Sequence, residues 1–270
     1  LGVNKIIAGQ GLTISPSNGK GDVTISAPTA SQWLTSDAVV TNGVVNYISN
    51  LLIPTGATTV GESAFSSMNI DAVDFNNQAI TSIGRRAFAA NKLKGTLTLP
   101  TTLLTIDNEA FQTPNSIELI EFGNQLTSIG DNAFRTNSLT SINIPSSVTA
   151  IGDNTFMQQE DSLGTRTLTS LTFEPRTTAL TLGSGSFMSN AITSVSIPAN
   201  TVVGEQGFSS NTGMTSAVIN DNCTIDQRAF AYNGDMSSLT IGSNVEIGYS
   251  AFGLNSNTPN VMTSVNIPST

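Results

Sequence analysis

The side chains that carry most protein chemistry are scarce in this sequence. It has no histidine and a single cysteine, Cys223. The first absence removes the commonest general base and the serine–histidine–aspartate arrangement. The second leaves neither a cysteine-rich zinc set nor an intrachain disulfide. Carboxylates remain, and in pairs they cleave glycosidic bonds. Glu62, Glu109, Asp131, Asp153 and Glu205 all stand near a recurring turn position. They come one per repeat, however. Asp131 and Asp153 precede short Asn-Ala-Phe and Asn-Thr-Phe turns, where a capping role accounts for them. The stretches 158–161 (QQED) and 219–226 (INDNCTID) hold the oxygen atoms that calcium uses, but neither follows a known loop. "LGSGSF" at 182–187 has glycines but not the lysine of a phosphate loop. No catalytic residue, metal site or cofactor is expected.

Bulk properties narrow the partners. The formal charge is −9 and only 11% of residues are charged, which disfavours a nucleic-acid footprint. No run reaches the ~18 apolar residues of a membrane span, so no membrane insertion is expected. Arg85, Arg86, Lys92 and Lys94 lie within one repeat. They form either a patch for an anionic surface or a solvated turn. The chain starts at Leu1 and stops inside a repeat, and it reads as a piece of a longer polypeptide.

What would position any site is a repeat. Nine phenylalanines recur in one context: Phe65, Phe88, Phe111, Phe134, Phe156, Phe187, Phe208, Phe230 and Phe252. The usual step is 21–23 residues, with one step of 31 between Phe156 and Phe187. A fixed period of this size marks a solenoid. The clearest copy, "LTSINIPSSVTAIGDNTF", runs from Leu139 to Phe156. Leu139, Ile142 and Ile144 form the buried face of a strand, which Pro145 stops because it has no amide to donate. Pro54, Pro100, Pro198 and Pro268 repeat the stop. Val148 and Ile151 make a second short strand. Gly152 follows, at a turn expected to need an unusual φ. Gly61, Gly84, Gly130, Gly204 and Gly248 recur there, replaced by Asp107 and Asp226 in two repeats. Three residues past the phenylalanine comes Asn91, Asn137, Asn190, Asn211, Asn233 or Asn255. Stacked asparagines bond the backbone of the neighbouring coil, so phenylalanine and asparagine both read as structural anchors.

These residues resemble the BspA-like leucine-rich repeat over residues 51–270. The resemblance implies a mainly β fold, a right-handed solenoid of about nine repeats with one strand per repeat on one face. The family's frequent cysteine after the phenylalanine is missing here. Residues 53–270 are assigned to the solenoid, truncated in its last repeat. Residues 33–52 form a connector and N-terminal cap, expected to be a short helix with Val40, Val44, Tyr47, Ile48, Leu51 and Leu52 near one face. Residues 1–32 form a β-rich attachment segment. Within it, 2–27 alternate apolar and polar residues between glycine-rich turns, as in a small β-meander. That stretch resembles segments of bacteriophage tail-fibre and other virion structural proteins. The resemblance implies a homotrimer bound to other virion proteins through residues 1–32.

Two insertions follow phenylalanines, at 157–167 and 253–261, and such loops often carry binding. Candidate binding residues are Gln158, Gln159, Glu160, Asp161 and Arg166 in the first, and Asn255 and Asn257 in the second. Tyr232 and Tyr249 join them as the solenoid's aromatics outside its phenylalanines, with Phe75, Phe122 and Phe173 assigned to buried strand positions. The leading reading is a phage virion protein (tail fibre, head or neck fibre, or decoration) that meets a host-surface glycan or protein receptor. The alternative is a cell-surface adhesin of the same repeat type. A glycan-degrading virion enzyme is the remotest reading.

Overall fold

A computed structural model describes residues 7–8, 24–25, 39–41, 44–253 and 263–266. Each coil contributes two short strands, as the sequence of the Leu139–Phe156 copy implied. Segments of two or three residues ending in a β-branched or leucine side chain build one parallel sheet of nine strands, from Thr59–Val60 to Glu246–Ile247. Its register stacks like on like: Ile83, Ile106, Ile129, Ile151 and Leu182 are successive partners. All five are buried. A period-2 strand facing a core demands this, because a one-residue slip would turn the aliphatic column to solvent.

The other strands, two residues long in the first coils and three to six from Lys94 onward, form the longer-strand side in four groups. Leu51–Leu52 pairs with Val73–Asp74, Lys94–Thr98 with Ser116–Glu121, and Ser141–Ile144 with Ser170–Phe173. Ser194–Ile197, Ser216–Ile219, Ser238–Ile241 and Ser264–Asn266 make a four-stranded parallel sheet. Between the groups the ladder is interrupted, so this side has seams that the nine-stranded sheet lacks.

The phenylalanines fill the third side. All nine rings stack in one column, with successive centroids 5.0–5.5 Å apart and planes within 4–17°. Near-parallel rings at this separation are offset stacks, the arrangement the ring quadrupole favours. Phe88 to Phe208 are fully buried, each worth roughly 1.5–3 kcal/mol of burial.

The turn glycines differ from expectation. Gly84, Gly130, Gly152, Gly183, Gly204 and Gly248 keep φ outside the left-handed region. They are glycines because a Cβ has no room. One built on Gly152 would sit 2.3 Å from Asp131 Oδ1 and 2.6 Å from the Asp131 nitrogen. The left-handed residue lies two positions later in every coil, from Ser63 through Arg86, Glu109 and Asn154 to Ser250.

Two expectations for the N-terminal part are corrected. In place of the helix, Val39–Thr41 and Val44–Tyr47 pair antiparallel. Adjacent valines favour strand, and the intervening Asn42-Gly43 is the dipeptide that hairpins prefer. Ile48 then bridges Ile70, which joins this segment to the first coil. Ile7–Ala8 and Thr24–Ile25 pair in parallel, whereas a meander needs antiparallel neighbours. The rest of residues 1–32 lies outside the described residues.

Candidate functional site

The asparagine positions are scaffold. Asn91, Asn115, Asn137, Asn190, Asn211 and Asn233 each donate from Nδ2 to two phenylalanine carbonyls, their own coil's and the previous one's, at 2.7–3.1 Å. Their Oδ1 atoms accept backbone N–H groups, such as that of Leu93 on Asn115 and Ile117 on Asn137. Two rungs escaped the sequence reading. Asn115 comes four residues after Phe111 because Pro114 lengthens the turn. Gln159 takes the rung after Phe156: its Nε2 donates to the Phe134 carbonyl at 2.9 Å and its Oε1 accepts from the Leu139 nitrogen. Gln159 is 0% exposed, so it is withdrawn as a binding residue.

The first insertion is an ordered hairpin. Glu160 and Arg166 form an antiparallel bridge. Asp161 Oδ1 accepts the nitrogens of Leu163 and Thr165, both at 2.9 Å. The bonds from Thr165 and Leu163 hold the Asp161 carboxyl below its usual range. Gln158 Nε2 donates to the Glu160 carboxylate, and Arg166 Nη1 reaches the Ser210 carbonyl at 2.6 Å, two coils further on. Glu160, Asp161 and Arg166 therefore brace the loop, and Leu163 at its tip is 89% exposed. Tyr232 and Tyr249 are exposed, but at different corners: Tyr232 follows its phenylalanine by two residues, while Tyr249 precedes Phe252 by three. Asn255 and Asn257 lie outside the described residues.

Three of the four basic residues, Arg85, Arg86 and Lys94, are ion-paired. Arg86 Nε meets Glu109 Oε2 at 2.6 Å, Arg85 reaches the same carboxylate at 3.1 Å, and Lys94 meets Asp71 at 2.6 Å. Partial burial pushes the Glu109 carboxyl up, but hydrogen bonds and charge from Arg86 and Arg85 outweigh it and hold it low. The Cys223 thiol is buried and donates to the Pro198 carbonyl, and that burial raises it away from the reactive thiolate. Among the described residues no group of three acidic or cysteine side chains is placed to hold a metal ion. No helix there is long and apolar enough to cross a membrane.

What the coils do bring together is an uncharged face on the longer-strand side. Three columns run across the strands from Ser141–Ile144 to Ser264–Asn266. One is Thr140, Thr169, Thr193, Thr215, Ser237 and Thr263. The next is Ser141, Ser170, Ser194, Ser216, Ser238 and Ser264; the third is Asn143, Thr172, Ser196, Val218, Thr240 and Asn266. Within each paired group, strand pairing spaces successive rungs by about 4.8 Å. Several threonine hydroxyls donate to the previous coil's carbonyl, as Thr215 does to Thr193, which fixes the rotamers.

Two grooves open at the seams. One of about 440 Å³ is lined by residues 73–79 and 98–102 with Thr96. The other, about 410 Å³, lies between residues 171–176 and residues 196, 198 and 199, with Asn220 at its end. There Arg176 donates to the carbonyls of Val148 and Pro145, both at 2.7 Å, and lies over the Phe173 ring at 5.8 Å from its centroid. Phe173 and Phe122 are only half-buried, contrary to the sequence reading, while Phe75 is buried.

Comparison with known proteins agrees with the coil architecture. A family model described as "BspA type Leucine rich repeat region" matches residues 45–162 and 163–259 in six copies. Among solved structures, a leucine-rich repeat protein from Bacteroides ovatus is similar at a TM-score of 0.54 and 14% identity, over 97% of this chain and 73% of that one. The pneumococcal vaccine antigen PcpA gives a TM-score of 0.49 at 18% identity, over 98% and 84%. A leucine rich cell surface protein from Faecalibacterium prausnitzii gives 0.34 at 15% identity, over 83% and 80%. No curated protein matches the chain.

Proposed function

Since the chain belongs to the BspA-type leucine-rich repeat family, we propose that it works by adhesion at a cell surface, with the uncharged longer-strand face as its recognition surface. The observation that carries this reading is the set of three columns from Thr140 to Asn266, in register on either side of the seam between Ser170–Phe173 and Ser194–Ile197, with hydroxyl or amide side chains at all but one position. Threonine, serine and asparagine supply both donors and acceptors, and neutral side chains cost little to desolvate compared with ions. The partner class is a cell-surface glycan or protein. The columns hold no carboxylate, lysine or histidine that could activate their hydroxyls, so the reading is binding without turnover. A virion role draws on the likeness of residues 2–27 alone, and the family match begins only at residue 45.

The test is adherence of the intact chain to cells and to purified surface polysaccharides and proteins. A variant carrying Thr172→Lys, Ser194→Lys and Ser216→Lys places charge in the columns. Its control carries Thr105→Lys and Ser128→Lys on the nine-stranded sheet. The expected result is adherence lost in the first and kept in the second. Equal loss in both, or none in the first, would overturn the assignment of the face.

A further inference from the structure

We propose that the groove between Phe173 and Pro198 is a sugar-binding site that takes one pyranose unit of a neutral polysaccharide. The inference deepens the adhesion reading and rests on it, since the groove opens on the same face. Thr172 and Ser196 belong to both the groove and the third column.

The groove has a cause in the sequence. Leu168 to Phe187 is two residues longer than the corresponding stretch from Leu139 to Phe156. The extra length falls in the turn after Ser170–Phe173, where Glu174-Pro175-Arg176 replaces the Pro145-Ser146-Ser147 of the preceding coil. The strand ladder is interrupted between this coil and Ser194–Ile197. A seam with a longer turn beside it leaves an open cleft of about 410 Å³, within the range of small-ligand sites.

Its lining suits a sugar for three reasons. First, it is amphipathic in the way a pyranose is. Phe173, Pro175 and Pro198 supply apolar surface for ring C–H groups, and Ser196 and Asn220 supply hydroxyl and amide groups. Secondly, it is balanced in charge, and the Glu174 carboxylate and the Arg176 Nη atoms are held by backbone. Glu174 Oε2 accepts the Ser146 nitrogen at 2.9 Å, and Arg176 is bound to carbonyls of the preceding coil. One carboxylate and one guanidinium leave no net charge to favour an anionic or cationic ligand, whereas a neutral polar one meets fixed donors and acceptors. Thirdly, these groups are pre-organised: Arg176 braces Phe173 and Asn220 Nδ2 is held by the Ile197 carbonyl at 2.7 Å. Little ordering entropy remains to be lost on binding. The second groove lacks this combination, because its ring, Phe75, is buried and its Gln78 side chain serves the turn at Gly56.

The experiment is saturation-transfer NMR of the intact chain with the methyl glycosides of glucose, galactose, mannose and N-acetylglucosamine. It is repeated on Ala199→Trp, which fills the groove, and on Phe173→Leu, which keeps an apolar side chain but removes the ring. Thermal unfolding verifies that each variant folds. Transfer from at least one glycoside is expected, abolished in Ala199→Trp and weakened about tenfold in affinity in Phe173→Leu. Silence from all four glycosides, or transfer unchanged in Ala199→Trp, overturns the proposal. Adherence separates the two readings. If no glycoside shows transfer yet the chain adheres through its columns, the groove falls and the face stands. If transfer is present and blocked by Ala199→Trp while the chain adheres to nothing, the groove stands and the face falls.

Discussion

At the scale of single residues, the recurring glycine shows how a correct pattern can carry a wrong reason. Its recurrence was plain, and a turn was the natural explanation. What the spacing could not show is that the preceding coil occupies the space a Cβ would need. Asp131 Oδ1 bonds the Asp153 nitrogen at 2.8 Å, and Gly152 has to pass beside it. The left-handed conformation falls instead on ordinary residues such as Arg86 and Glu109, which give no compositional warning. The two explanations predict different mutants. Gly152→Ala is expected to destabilise by about 1–3 kcal/mol through overpacking, although its φ suits alanine. Gly213→Ala, whose Cβ would meet nothing within 4 Å, is expected within about 0.5 kcal/mol of the parent. Denaturant unfolding of both checks this, and equal effects would sink the close-approach account. The asparagine ladder teaches the same lesson. Among the described residues a fixed offset of three found five asparagine rungs, while Asn115 and Gln159 were hidden by one inserted residue and by one changed side chain. What is constant is a carbonyl-satisfying amide at a place in space, not a residue at an offset.

At the scale of elements, the strands were legible and their grouping was not. Alternation in "LTSINIP" shows which residues face inward, and the proline shows where the strand ends. Whether adjacent strands complete a ladder depends on the length of the turns between coils, which periodicity does not register. The helix expected before the first coil failed for a related reason. Apolar residues at 40, 44, 47, 48, 51 and 52 fit a helical face, but β-branched valines about an Asn-Gly pair fit a hairpin better. The insertion after Phe156 was legible in the spacing, but the internal bonds of its side chains were not. Asp161 holds the loop through two backbone amides, and this has a pH consequence. Its carboxyl titrates below its unfolded value, so its contribution is complete above the ordinary aspartate range. That contribution fades as pH falls through the lowered folded value. Amide resonances of Leu163 and Thr165 are therefore expected to shift together with an acid midpoint below that of an exposed aspartate. Asp161→Asn should remove the transition, and a midpoint at or above the ordinary value would contradict the bracing role.

At the scale of the whole molecule, the arrangement separates charge from the recognition surface. The chain carries nineteen acidic and ten basic residues. Many of the acids sit where coils turn, at Glu62, Glu109, Asp131, Asp153 and Glu205, or on the hairpin at Glu160 and Asp161. The columns from Thr140 to Asn266 carry none. The net negative charge then favours solubility, while the neutral face is left to make contact. Ionic strength tests this division, because salt screens contacts between charges over about 8–10 Å and leaves neutral hydrogen bonding nearly unaffected. Adherence through the columns is expected to change by less than about twofold between roughly 0.05 and 0.5 M salt. Binding by Arg85, Arg86 and Lys94 would weaken steeply over the same range, but these cations already face Glu109 and Asp71. A steep salt dependence that Arg85→Gln with Arg86→Gln removed would move the contact surface to that edge and away from the columns.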